Sequence, residues 1–230
     1  MAKRLLIVLT LILLAFMFWD VAGNYVEKTA LEALPGRYVA QGPDELGAPN
    51  LVTAVVVTYR GLDTLGEVTV LFLSAIAVGL LLTLGGGTDA AEPPKRASEI
   101  VETAVEYLFP IVILLGVYIF ANGHLTPGGG FQGGAVIASA TLLLFLSLPQ
   151  SRLRHGLLSA TESLSGFGYV VIGVLGIALA GGFLDNRVLP LGEYGRLFSA
   201  GAIPVIYTFI GLKVGTELSA VLERFKGNAP

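Results

Sequence analysis

Residues 123–134 read Gly-His-Leu-Thr-Pro-Gly-Gly-Gly-Phe-Gln-Gly-Gly, and the reading of that stretch decides the fold. Residues 128–133 satisfy G-x-G-x-x-G. A dinucleotide-binding turn of that form needs a strand before the glycines, a helix after them and an acidic residue about 20 positions on. Here the preceding run, Val105–Asn122, is long and apolar, and no Asp or Glu follows until Glu162. No Gly-Lys-Ser/Thr is present either, which removes a phosphate loop. A flexible linker is the simpler alternative, but Pro127 and Phe131 favour a defined shape. Irregular backbone at membrane depth survives only where protein buries it or where it lines a wet cavity. The stretch is therefore expected to be a re-entrant or tight connection between two membrane helices, buried against another helix or subunit. Pro127, Gly128, Gly129, Gly130, Phe131, Gly133 and Gly134 form its structural motif. Gly130, Gly134 and Ala138 recur every fourth residue and put a smooth face on the helix that follows.

The composition agrees with a lipid environment. Of 230 residues, 54% are hydrophobic and 13% are charged, where a soluble domain is about a quarter charged; mean hydropathy is +0.77. The absence of cysteine excludes disulfides, thiolate metal sites and cysteine nucleophiles. A net charge of −3 gives no basic surface for nucleic acid.

Crossing roughly 30 Å of hydrocarbon takes about 20 apolar residues. Six runs qualify: Leu5–Trp19 extending to Tyr25, Leu62–Leu84, Val105–Asn122, Gly134–Leu148, Phe167–Leu184 and Phe198–Leu222. The fourth is short unless it begins inside the glycine stretch. The first also fits a signal peptide, but no clear A-x-A site follows and Trp19 and Tyr25 suit interfacial anchors, so a retained helix is expected. The fold class is an all-α integral membrane protein of about six transmembrane helices. Polar stretches are expected at 23–50, 85–104, 149–165 and 185–197. With the N-terminus inside, the inner segments hold Lys3, Arg4, Lys95, Arg96, Arg152, Arg154, Arg224 and Lys226, against Lys28, Arg37, Arg187 and Arg196 outside. That excess places both termini in the cytoplasm.

Three places carry charge where lipid tolerates it poorly. In the second span, Thr53, Arg60, Asp63, Glu67 and Ser74 fall on one helical stripe. Arg60 and Asp63 suit a headgroup-level pair as well as a functional one. Glu67 lies a turn deeper, where a carboxylate costs several kcal/mol unless it is paired or protonated, and it is the favoured ion-path candidate. In the last span, Lys213 and Glu217 share a face at i, i+4, either as a structural ion pair or as part of a path. Glu99, Glu102 and Glu106 suit a solvated helix start. His124 has an unperturbed pKa near neutrality; it is either a proton carrier or an ordinary hydrogen-bonding residue. No nucleophile–base pair, metal cluster or cofactor box stands out, so no catalytic, metal or cofactor-binding residue is assigned.

These motifs resemble a known family. Residues 105–225 resemble the B subunit of Mrp-type multisubunit sodium/proton antiporters, the MnhB-type domain. The carrying residues are Ala121–Gly134 and Phe198–Leu218, the latter containing Gly211-Leu-Lys-Val-Gly-Thr-Glu217. Residues 50–84, with Tyr59-Arg-Gly-Leu-Asp-Thr-Leu-Gly-Glu67, resemble the C-terminal part of the large A subunit of the same complexes. That part also occurs as a small membrane subunit of membrane-bound hydrogenases. The resemblance implies a two-helix segment (1–84), a cytoplasmic linker (85–104) and a four-helix MnhB-type domain (105–230). It implies a non-catalytic, multi-pass subunit in the cell membrane that works with other membrane subunits of an Mrp-type complex on Na+ and H+. It also carries a family glutamate of the Asp-x-x-x-Glu segment onto Glu67. The long antiporter body of the A subunit is missing here, so another chain must supply it. The alternative is a membrane-arm subunit of an ion-pumping redox complex. A self-contained transporter would be expected to show paired broken helices in two halves, and none is detectable.

Overall fold

The computed structural model describes residues 2–25, 30–31, 33–84 and 97–228. Residues 85–96 of the expected linker (85–104), with Lys95 and Arg96, and Lys28 lie outside those residues, and a helix beginning at Glu99 takes up the linker's end. The helices are α1 (Ala2–Gly23), α2 (Ala33–Leu46), α3 (Leu51–Ala54), α4 (Gly61–Leu84), α5 (Glu99–Ala121), α6 (Gly130–Ser147), α7 (His155–Leu179) and α8 (Ile203–Asn228). A π-helical turn, Val55–Tyr59, joins α3 to α4, and a 3-10 turn, Asn186–Val188, lies before α8. Six of the helices (α1, α4, α5, α6, α7 and α8) are long and apolar enough to cross a membrane, and no strand occurs among the described residues. The chain is thus an all-helical, multi-pass membrane protein.

Two compact units divide the chain, residues 1–37 and 38–230. The first is α1 and the start of α2. The apolar side chains of α1, Leu5 to Trp19, are exposed along its length, as expected of a helix whose solvent is lipid.

The second unit is built around α8, which packs against α4, α5, α6 and α7. Its buried residues Ile203, Ile206, Tyr207, Ile210 and Val214 form the spine of the core, joined by Val57, Val68, Tyr169 and Leu184. The helix can be central because it is slim on the side facing α5 and α6: a side chain at Gly211 would enter the Phe120 ring, and a Cβ at Gly215 would lie 3.1 Å from Ile137. In lipid, where apolar burial gives little drive, such close approach is what holds helices together.

Several boundaries differ from those the sequence suggests. The fourth span begins inside the glycine stretch, at Gly130, which restores its length to 18 residues. Residues 149–165 are mostly not a loop, since α7 starts at His155 and ends at Leu179. Its polar residues, Glu162 among them, hid the helical period. The last span starts at Ile203 rather than Phe198, because Ala200 and Gly201 take positive φ of 62° and 59° and form a turn. Part of 23–50 is helical too, with Pro43 inside α2. Finally, Thr53 does not belong to the stripe of Arg60, Asp63, Glu67 and Ser74. The π turn adds a residue to the helical count, so Thr53 is buried while the other four are exposed.

Candidate functional site

Two polar sites lie inside the second unit. The first is the glycine connection, residues 122–129. Helix α5 stops at Ala121 and α6 starts at Gly130, so the connection is tight and contains no half-helix. Its carbonyls are satisfied from the start of α3. Asn50 Nδ2 donates to Gly123 O at 2.8 Å and Thr126 O at 3.0 Å, and the Asn50 amide donates to His124 O at 3.0 Å. Thr53 Oγ1 donates to Gly123 O at 2.7 Å and accepts from the Tyr207 hydroxyl at 2.9 Å. Asn50 also caps α3 by accepting from the Val52 and Thr53 amides. One asparagine therefore starts a helix and clamps the loop of another.

The glycines are needed for space and backbone conformation. Gly129 has φ 149°, which side chains rarely adopt. A Cβ at Gly133 would lie 2.5 Å from the Gly116 carbonyl oxygen of α5; one at Gly134 would lie 2.7 Å from Val214 of α8, and one at Gly130 would lie 2.5 Å from Ile210. The smooth face of Gly130, Gly134 and Ala138 thus meets α8. Phe131 is half-buried against the core, and Pro127 sits in the turn itself.

His124 is fully buried in this connection. Its Nε2 lies 3.3 Å from Arg196 O, and Nδ1 has no hydrogen-bond partner among the described residues. Burial pushes the imidazole below its usual pKa, against the opposing effect of nearby backbone groups of Arg196, Leu197 and Ala121. Above this region, Asn186 Nδ2 donates to Leu46 O and Ala200 O, both at 2.9 Å. Asp185 pairs with Arg187, which holds its carboxyl down at about 2.

The second site lies about halfway along α8. Lys213 is ten residues from the start of that helix, about 15 Å along its axis. Its Nζ lies 2.6 Å from Glu217 Oε1 and 4.0 Å from Glu162 Oε1 of α7, and 4.6 Å from the centre of the Phe72 ring of α4. The stem of Lys213 crosses Gly166 of α7, where a Cβ would sit 3.5 Å away. Glu217 is 1% exposed. The contact with Lys213 is a close ion pair.

The remaining candidates face outward. Arg60 and Asp63 form an ion pair with side chains 65% and 51% exposed, as a headgroup-level pair would. Glu67 is exposed on α4 and has no hydrogen bond or ion pair among the described residues. It lies within electrostatic reach of Tyr169, whose hydroxyl donates to Gly61 O at 3.3 Å. The structure therefore brings Lys213 and Glu217 together, keeps Arg60, Asp63 and Glu67 on the surface of α4, and leaves His124 at the loop. Glu162, Asn50 and Tyr207 escaped the sequence reading. Only Glu162 had a signal, since it lies on the same helical face as Tyr169, seven residues on.

A family model described as a domain related to the MnhB subunit of Na+/H+ antiporters matches residues 100–220, and a second, described as the E subunit of MBH, matches residues 5–96. An uncharacterised protein of Methanocaldococcus jannaschii is 32% identical over an alignment 197 positions long that covers 74% of each chain. A probable K+/H+ antiporter A/B subunit of Rhizobium meliloti is 30% identical over 152 residues, 55% of this chain and 15% of that protein. Among solved structures, a chain of the membrane-bound sulfane sulfur reductase, an archaeal respiratory membrane complex, superposes with a TM-score of 0.83 at 41% identity, covering 98% of both chains. A chain of the Mrp complex from Dietzia shares the fold, with a TM-score of 0.78 at 21% identity, and this protein spans 26% of its length.

Proposed function

Because the chain belongs to the family of domains related to the MnhB subunit of Na+/H+ antiporters, we propose that it is a membrane subunit of a multisubunit Mrp-type cation/proton antiport complex. It contributes to assembly and to the Na+/H+ path, working with other membrane subunits and performing no chemistry of its own. The observation that carries this reading is the Lys213–Glu217 pair, a buried lysine and carboxylate about halfway along the last spanning helix. Removing two charges from water is costly, and apolar side chains of similar volume would hold the helices together at least as well. The chain is read as a segment with two spanning helices (1–84), a linker (85–104) whose end is taken up by α5 from Glu99, and a domain of four spanning helices (105–230), with both termini cytoplasmic. The lysine and arginine bias supports that orientation, and the separate family models for 5–96 and 100–220 support that division.

Glu67 belongs to the same path. Exposed on α4, it reaches an ion only if a partner subunit covers it and the space between them is wet. Glu67→Gln keeps the shape and removes the charge. Complexes carrying it are expected to assemble on native gels yet lose cation/proton exchange in everted vesicles, while Glu67→Asp keeps part of it. Exchange at the wild-type rate in the Gln variant would remove Glu67 from the path.

A specific observation favours a second reading. The likeness to the sulfane sulfur reductase chain extends over 98% of both chains. A membrane-arm subunit of an ion-pumping redox complex would use the same buried charges. Mass spectrometry of the gently solubilised complex separates the two: a co-purifying iron–sulfur subunit selects the redox arm.

A further inference from the structure

We propose that Glu162 completes a three-residue proton-exchange site with Lys213 and Glu217, acting as the member that takes up and releases the proton. The proposal rests on the antiport reading and adds to it a residue and a chemical role.

The argument starts from charge. One ammonium stands between two carboxylates, 2.6 Å from one and 4.0 Å from the other. With all three ionised the cluster carries a net charge of −1 inside the hydrocarbon, which is costly until one further positive charge arrives. A proton supplies that charge at the lowest cost in space. The two carboxylates are not equivalent: the Glu217 side chain is 1% exposed and that of Glu162 is 25% exposed. Glu217 is therefore the fixed partner of Lys213, and Glu162 is the carboxylate nearer the outside of the bundle. Protonation of Glu162 brings the cluster to zero net charge and leaves the Lys213–Glu217 pair intact. Release of that proton to water restores −1 and draws the Lys213 ammonium towards Glu162. The stem of Lys213 has room to follow, because Gly166 presents only hydrogen where it crosses α7.

The surroundings define what else acts on Glu162. Facing it are Lys213 and Glu217 from α8, and the Phe72 ring from α4 lies against the ammonium. On the same face of α7, about 10 Å towards the glycine-connection end, stands Tyr169, which in turn feels Glu67 of α4. Towards the other end, His155 of α7 pairs with Glu223 of α8 at 3.6 Å. The cluster is thus the midpoint between two more exposed ionisable groups, Glu67 and His155.

The test uses the assembled complex. Dicyclohexylcarbodiimide reacts with protonated carboxyl groups in apolar surroundings, and mass spectrometry locates the adduct. Glu162 is expected to be modified increasingly as pH falls, with no protection by Na+. In everted vesicles, Glu162→Gln is expected to slow exchange by about tenfold or more, in line with loss of a proton-transfer group. Glu162→Asp is expected to retain part of the rate with a displaced pH profile. Wild-type exchange with an unchanged profile in the Gln variant overturns the proposal. Modification that is equal at every pH overturns it as well, as does protection by Na+, which would mean a cation-binding site. If the Gln variant fails to assemble, labelling of the wild type and the profile of the Asp variant decide the matter. Failure of the antiport reading looks different, because wild-type vesicles would then show no exchange at all.

Discussion

Lys213 and Glu217 sit in one ion pair, and the energetic rule for such pairs is asymmetric. Removing one partner strands a buried charge at a cost of about 3–5 kcal/mol, whereas removing both does not. Lys213→Met and Glu217→Gln are each expected to reduce the amount of assembled complex, and the double variant is expected to recover much of it. Additive losses in the double-mutant cycle would show that the two side chains do not couple. His124 offers a second residue-level test. Its pKa is lowered in the fold, so the unfolded chain binds the proton more readily than the folded one. The contribution is therefore intact above the unfolded value of about 6.5 and is lost as pH falls through the lowered folded value. Thermal stability in detergent is expected to drop on acidification below about pH 6.5, and His124→Gln is expected to flatten that dependence. An equally steep drop in the variant would assign the acid sensitivity to other groups. At this scale the last span was legible because an i, i+4 charge pair stands out against apolar sequence. Glu162 was not, because Arg152, Arg154, His155 and Ser163 surround it, and their polarity reads as a loop until the tertiary partner Lys213 is known.

The helices meet through missing side chains. Gly133 and Gly116 let α5 and α6 touch backbone to backbone. Gly133→Val places a carbon against a carbonyl oxygen that cannot rotate away, an overpacking of about 1–3 kcal/mol or more. The expected result is loss of the assembled complex from native gels, with no nucleotide-binding phenotype. A variant that assembles normally would show that α5 and α6 separate without cost. The four-residue spacing of Gly130, Gly134 and Ala138 was legible as a contact face, and its partner helix was not. Period alone marks a smooth surface but does not say which neighbour lies against it. The π turn at Val55–Tyr59 was illegible for a different reason. A count of 100° per residue assumes an unbroken α-helix, and the tertiary bonds of Asn50 and Thr53 to the glycine connection hold the preceding turn in another register.

Across the whole molecule, the number of spans and the all-helical class were legible because the lengths of the apolar runs are set by bilayer thickness. The central place of α8 was not, since it depends on which glycines oppose which bulky residues. Glu67 shows what this architecture implies for the life of the chain before assembly. Its carboxylate lies on the outside of α4, and any chain released into the bilayer without its neighbours holds that group against lipid, at a cost of several kcal/mol. If Glu67 serves the proposed ion path, the same side chain marks an orphan copy for membrane quality control. Synthesised without its partners, the wild-type chain is expected to be short-lived in a pulse-chase. Glu67→Leu is expected to persist longer as an orphan, and an equal half-life would show that Glu67 carries no such mark. A longer orphan half-life for Glu67→Leu would tie the supply of this subunit to the synthesis of a partner that covers α4, whatever the dose of its own gene.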